Sequence, residues 1–282
     1  MAAGFDTVSF LSDYGLADEF VGVVKAVIAA IAPAARVIDV SHQVAPHDIR
    51  AGSLVLARSI QYLPQGVVLA VVDPGVGTAR RAVAVEVGGD DGGADDGGGD
   101  DRWVLIGPDN GLLAPAVALA GGARRAVSLT NTDWHLAAPG PTFAGRDVFG
   151  PAAAHLCAGV ELDELGDPVD PFTLVPGIIP LPREENGGVE GEVLWVDRFG
   201  NAQLNVGPDE IEAMGSPVVV RMGERTRSAA RVASFAELST GQVGLVVDSY
   251  GLLAVALDRR SAAEDLSLAA GDLVRLEPTG DA

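Results

Sequence analysis

Only one of the 282 residues is cysteine, so no internal disulfide can form, and Cys157 fits a reducing compartment. It falls in Ala-Ala-His-Leu-Cys-Ala-Gly, an apolar helical stretch where buried packing explains it better than nucleophilic chemistry. No apolar run reaches the roughly 18 residues that a membrane helix needs. The first residues, Met-Ala-Ala-Gly-Phe-Asp, lack a basic stretch leading into an apolar core, so no secretory signal is expected and a cytoplasmic location is. Basic residues are scarce as well: 19 Lys and Arg stand against 39 Asp and Glu, a net charge of −20. Nucleic acid and anionic membrane both reward clustered Lys and Arg, and neither is an expected partner. Two nucleotide signatures are missing. There is no GxGxxG, and GVGTA at 75–79 lacks the lysine that a phosphate cradle requires.

What is present is strand-rich and globular. Hydrophobic residues make up 48% of the chain, in short runs cut by Gly, Pro and Asp. The length suits two domains, the larger one first. Thr7–Leu11 reads as a strand ending in the turn Ser12-Asp13-Tyr14-Gly15. Asp18 and Glu19 then open a helix, where carboxylates complement the dipole. Val21, Val24, Val27, Ile28 and Ile31 give it one apolar face, and Pro33 ends it. Arg36–Val40 is a second strand, Ile49–Ile60 a helix, and Gly66–Val72 a continuous apolar run of the kind a buried parallel strand requires. Residues 88–102, with six aspartates among 90–101, form a low-complexity stretch expected to be a mobile, solvated excursion rather than a calcium site. Trp103–Ile106 resumes the sheet. The β-then-α rhythm predicts an α/β domain over 1–182, with a mostly parallel sheet and helices on both faces. Beyond a proline-rich stretch at 168–182, Arg183 to Gly188 reads as a linker. Short strands over 189–282 then predict a smaller antiparallel β-barrel or sandwich.

Ligands bind outside the carboxyl edge of an open parallel sheet. Four strand ends there carry turns led by a carboxylate: Asp13-Tyr14-Gly15, Asp39-Val40-Ser41-His42, Asp73-Pro74-Gly75-Val76-Gly77 and Asp109-Asn110-Gly111. Any one could be a plain capping turn; four together point to a site. Asp73 is the most specific, because Pro74 fixes the exit and Gly75 and Gly77 allow close backbone approach. Arg80 and Arg81 are near enough to turn a guanidinium back on it, as a functional pair or as a loop staple. Pro141 to Asp147 runs into a helix at 148–158, whose first N–H groups suit an anion or an attacking oxygen. In the second domain, Asp197-Arg198-Phe199-Gly200-Asn201 and Asp248-Ser249-Tyr250-Gly251 are either ordinary turns or aromatic platforms for a purine.

FLSDYGLADEF, DVSHQVAPHDI, VVDPGVGTARR, IGPDNGLL, PTFAGRDVFGPAAAHL and VDRFGNAQLNV together resemble the S-adenosyl-L-methionine hydroxide adenosyltransferases (SAM hydrolases), whose relatives include fluorinating and chlorinating adenosyl enzymes. The likeness spans nearly the whole chain. It implies attack of water or hydroxide on C5′ of S-adenosylmethionine, giving adenosine and L-methionine, with no cofactor and no metal. It also implies a homotrimer with sites between one subunit's N-terminal domain and its neighbour's C-terminal domain. Asp13 would hold the ribose diol, with Asp18, Phe20, Asn110 and Gly145 completing the substrate contacts of that domain. Asp73 and Arg80 would orient and polarise the water. Asp197, Asn201, Ser249 and Tyr250 would meet the adenine or methionine moiety, and Phe199 would stack on the base.

One position departs from the pattern. Hydrolytic members carry histidine in this motif, where the chain has Ala144. His42, His47, His135 and His155 lie elsewhere in the frame, and His135 fits packing or surface better than substitution. Ala144 allows three readings: an engineered trap for substrate, slower hydrolysis, or room for another nucleophile such as halide. The halogenating relatives lack an equivalent of Asp73. A carboxylate there would repel a halide in a desolvated pocket, so hydrolysis leads; a halide-using transferase and a binding protein with little turnover are the alternatives.

Overall fold

The computed structural model describes residues 4–88 and 102–279; of the excursion expected over 88–102, residues 89–101 lie outside them, while Gly88 and Arg102 are strand residues. Two compact units divide between Ile178 and Ile179.

The first unit is built on a seven-stranded sheet. In chain order its elements are β1 (Thr7–Ser12), α1 (Phe20–Ile31), β2 (Arg36–Ser41), α2 (Ile49–Ser59), β3 (Gly66–Val71), β4 (Ala82–Gly88), β5 (Arg102–Pro108), α3 (Ala114–Leu119), β6 (Ala123–Ser128), α4 (Gly150–Cys157) and β7 (Asp167–Val169). The sheet order is β2-β1-β3-β5-β4-β6-β7. β3 is buried along its whole length, which is why its sequence is an unbroken apolar run. Side chains alternate across β1. Val8 and Phe10 join α1 and α4 in one core layer, while Leu11 faces α2 and α3 in the other.

The sheet is less uniformly parallel than the β-then-α rhythm suggests. β2, β1, β3 and β5 pair in parallel, but β4 runs antiparallel to β5 and to β6, and β7 is antiparallel to β6. The chain between β3 and β4 has no helix to carry it back across the sheet, so β4 must start at the edge where β3 ends. That return decides the geometry of the site.

The second unit is a closed barrel. β8 (Arg183–Glu185), β9 (Gly188–Val196), β10 (Ala202–Leu204), β11 (Val218–Met222), β12 (Arg225–Val232), β13 (Val243–Val247), β14 (Leu253–Leu257), the short helix α5 (Ala262–Leu266) and β15 (Leu273–Pro278) follow in order. Seven strands close through the β10–β9 pairing, with β8 added outside β9. The core is aliphatic, centred on Val193, Leu204, Val220, Val255 and Leu276. The barrel is antiparallel except where β12 and β13 pair in parallel. The expected linker at 183–188 is instead a hairpin. Asn186 and Gly187 both take positive φ, the backbone a two-residue hairpin turn demands, and Arg183–Glu185 pairs with β9.

Candidate active site

In the first unit strand order reverses between β1 and β3, the crevice where open α/β sheets place their ligands. Ser12 stands opposite Val71 in the register, and the Asp13 amide donates to the Val71 carbonyl at 3.3 Å. Asp13 and Tyr14 therefore leave β1 abreast of Val72 and Asp73 leaving β3.

Asp73 and Arg80 form a bidentate ion pair. Arg80 Nε donates to Asp73 Oδ1 at 2.8 Å and Nη2 to Oδ2. Both side chains are largely buried, 6% exposed for Asp73 and 16% for Arg80, so water screens the pair little. The Arg80 guanidinium lies 5.1 Å above the ring of Phe149. Arg81 turns the other way, to Asp109 and the Thr173 hydroxyl, and Asp109 also accepts from the Val175 amide at 2.8 Å. Of the two arginines only Arg80 belongs to the Asp73 site, since successive residues entering a strand face opposite sides.

The four carboxylate-led turns divide evenly. Asp109 staples its own surroundings. Asp39 accepts from Lys25 at 2.8 Å and lies 3.1 Å from His42 Nε2. Burial raises the Asp39 pKa, but the hydrogen bonds and charges of Lys25 and His42 outweigh it and leave it low. Asp13 and Asp73 flank the crevice. Asp13 Oδ2 accepts the His47 amide at 2.9 Å, and His47 holds a left-handed backbone (φ 68°) to deliver it.

Several features were not legible in the sequence. Ser12 Oγ lies 2.8 Å from His42 Nδ1, which completes a Ser–His–Asp array with Asp39. Ser12 is wholly buried, so the array braces the β1 exit and offers no nucleophile. Tyr14 stands at the centre of an aromatic cluster with Phe20 at 5.8 Å, Phe143 at 5.6 Å and Phe10 at 6.4 Å. Burial, then the charges of Asp13 and Asp73, push its phenol far above the ordinary value, with the nearby Gly145 backbone and Arg80 opposing the rise.

Gly145 and Phe20 thus gather with Asp13, Asp73 and Arg80, and Ala144 packs at the edge of the same core layer. Gly77, with φ 78°, lies where a Cβ would meet the Pro141 carbonyl at 3.2 Å, so the two glycine-bearing loops touch. Asp18 is exposed just before α1, and Glu19 caps that helix without a side-chain hydrogen bond. Asn110 turns inward: its amide donates to the Val72 carbonyl at 2.9 Å and accepts from the Leu112 amide at 3.1 Å. The helix start expected to receive an anion is closed. The chain enters α4 through a π-turn at Gly145–Phe149, the Arg146 and Asp147 amides both donate to Phe143, and the Asp147 carboxylate is buried there against Arg146. His135 and His155 are partly buried and lowered in pKa by that burial, and His155 packs on Trp134. Cys157 is pushed up to about 12 by burial and by Asp6, an unreactive thiol.

In the second unit Asp197 accepts the Phe199 and Asn201 amides and the Asn201 side chain, each at 2.8 Å. Asp248 does the same for the Tyr250 and Leu252 amides and takes a further hydrogen bond from Gln203. Both aspartates are turn-formers that set the pose of their neighbours. Phe199 is 79% exposed, and Ser249 and Tyr250 are exposed. The two turns lie at opposite ends of β14: Gly200 packs on Ser261 beyond its end, while Asp248 leads into its start. Phe199 and Asn201 share a cavity with Phe235, Leu257, Arg259 and Arg260, of which the last four carried no motif in the sequence.

Among the described residues no group of three His, Cys, Asp or Glu is placed to hold a metal, and no helix is long and apolar enough to cross a membrane. The chain is 46% identical over 95% of its length to a protein named (R)-S-adenosyl-L-methionine hydrolase from Salinispora tropica, covering 97% of that relative. It is 31% identical over 96% of its length to a fluorinase from an Actinoplanes species, covering 97% of it. A crystal structure of an uncharacterized conserved protein from Thermotoga maritima superposes with a TM-score of 0.84 at 34% identity, covering 96% of this chain and 99% of that one. The profile of the SAM hydroxide adenosyltransferase N-terminal domain matches residues 8–166 and that of the C-terminal domain residues 191–275, and the chain belongs to that family.

Proposed function

We propose that this chain cleaves S-adenosyl-L-methionine by attack of water on C5′, releasing adenosine and L-methionine. The observation that carries this reading is the buried, bidentate Asp73–Arg80 pair at the crevice between β1 and β3. The substrate is a sulfonium, so the leaving group departs as a neutral thioether and needs neither a general acid nor a metal. What the protein must supply is an in-line water, exclusion of other water, and a place for one proton. Positioning of this kind is worth about 7–11 kcal/mol, and a base adds roughly 10²–10⁴-fold. Asp73 accepts the proton, and Arg80 holds the carboxylate in place and polarises the water. Asp13, fixed by the His47 amide, takes the ribose diol. Asp18, Phe20 and Gly145 line the approach, and Asn110 serves by tying its turn to the end of β3.

The base falls to the second half of the chain. Phe199 and Phe235 face one cavity with Asn201, a setting for a planar, hydrogen-bonding ring. Ser249 and Tyr250, with Asp197 and Asp248 shaping their turns, take the amino-acid end or the edge of the purine. The domains over 1–182 and 189–282 supply the two halves of each site from different subunits of a homotrimer, which accords with the exposure of Phe199 and Tyr250. A cytoplasmic location accords with the single cysteine.

The test is incubation with each sulfonium epimer of S-adenosylmethionine in ¹⁸O-labelled water. Label in the 5′-hydroxyl of adenosine, with one methionine per adenosine, is expected; unlabelled adenosine or no release would overturn the reading. A parallel reaction in chloride addresses a halide-using transferase, which would yield a 5′-chloro nucleoside. Sedimentation reads the trimer directly.

A further inference from the structure

We propose that Tyr14 is a catalytic residue of this site, its hydroxyl holding the attacking water beside Asp73 where position 144 offers only a methyl group. This rests on the hydrolase reading above. The β1–β3 register sets Tyr14 abreast of Asp73 at the carboxyl edge. The other loops of the site converge on the same point: Gly77 lies against Pro141, and Phe149 lies under the Arg80 guanidinium. Tyr14 Oη rests against Gly145, one residue beyond Ala144, so closely that a Cβ there would overlap it and stand 3.0 Å from Cζ.

The hydroxyl needs a reason to be there. The ring packs edge-on or tilted against Phe10, Phe20 and Phe143, and a phenylalanine would pack as well. A hydroxyl in such a cluster costs free energy unless hydrogen-bonded, and the backbone of Gly145 is the polar group that stands against it. The charged groups that act on it are engaged elsewhere: Arg80 with Asp73, and Asp13 with the His47 amide. The phenol stays neutral because burial and two nearby carboxylates oppose its ionisation, so it acts as a hydrogen-bond partner and not as a base. In the step, the water oxygen bonds C5′ while the C5′–S bond breaks with its electron pair passing to sulfur. One water proton goes to the Asp73 carboxylate, and Tyr14 neither gains nor loses a proton.

The experiment compares the full-length chain with Tyr14→Phe, Ala144→His and the double variant, measuring kcat and KM for S-adenosylmethionine and the thermal midpoint. Tyr14→Phe should lower kcat by about tenfold or more, as loss of a group acting on the reacting water does, with KM changed by less than about threefold. Ala144→His should raise kcat by a clearly larger factor in the Tyr14→Phe background than in the parent, whereas equal factors in the two backgrounds would mark the tyrosine as purely structural and overturn the assignment. Unchanged kcat in a folded Tyr14→Phe protein overturns the assignment of Tyr14 alone. Absence of adenosine from the parent chain overturns the hydrolase reading and this one together.

Discussion

Gly145 has no side chain where the Tyr14 hydroxyl stands, so the second turn of the site is shaped around the first. Gly145→Ala should displace the tyrosine ring and cost about 1–3 kcal/mol of stability by overpacking. Much of that cost should vanish in Gly145→Ala combined with Tyr14→Phe, which removes the overlapping oxygen. Denaturant titration of the four proteins checks this, and additive losses would show that the clash is not with the hydroxyl.

Ala144→His in the otherwise unaltered chain should raise the rate of adenosine release. It would add a polar group beside the water next to Asp73 and Arg80. Chromatographic initial rates at saturating substrate decide it; an unchanged or lower rate shows that the missing imidazole does not limit turnover.

Asp73→Asn removes the proposed proton acceptor and leaves Arg80 buried without its partner carboxylate. The expected loss is roughly 10²–10⁴-fold in kcat. Breaking a buried pair also destabilises the fold, by about 3–5 kcal/mol. The double variant Asp73→Asn, Arg80→Met should regain stability but not rate. Parallel melting and kinetic curves separate the two effects.

Phe199→Ala and Phe235→Ala strip the rings from one cavity of the barrel unit. Each aromatic contact is worth about 0.5–1.5 kcal/mol, so KM should rise roughly 2- to 12-fold for each with kcat little changed. A fall in kcat at constant KM would place these rings at the reacting centre instead.

Glu86, on β4, is nearly buried between Arg102 and Arg125, 2.6 Å from each. Burial raises its pKa, but the Arg125 hydrogen bond and the Arg102 charge outweigh that and hold it below the ordinary 4.5. Its folded pKa is depressed, so its stabilisation is present above the unfolded value and is lost as pH falls through the folded one. Thermal midpoints taken downward from pH 5 should drop less steeply in Glu86→Gln than in the parent. Parallel curves would show that this pair of arginines contributes nothing to acid sensitivity.

Much of the fold was written locally. Val21, Val24 and Ile28 repeat at helical spacing and are the buried face of α1; the apolar run after Gly66 is the buried strand β3. At 183–188 the charged residues suggest a linker, yet Asn186-Gly187 is a hairpin turn signal and the segment pairs with β9. Asp13, Asp73 and Arg80 were legible as turn residues at strand ends, since periodicity locates the ends and composition locates the carboxylates. Which carboxylates belong to a site was not legible. Asp39 and Asp109 head turns of the same kind, yet one is taken by Lys25 and His42 and the other by Arg81.

By itself, then, the amino-acid sequence determined the two-part α/β and barrel organisation and the family. Those rest on local periodicity and on motifs read in order along the chain. Tertiary structure alone decided that β4 returns antiparallel, bringing Arg80 back to Asp73 and sending Arg81 away. It alone put the Tyr14 hydroxyl against Gly145, and Phe199 and Tyr250 at opposite ends of β14. Contacts of this kind join residues far apart in sequence, and they depend on strand direction and register, which no local pattern encodes.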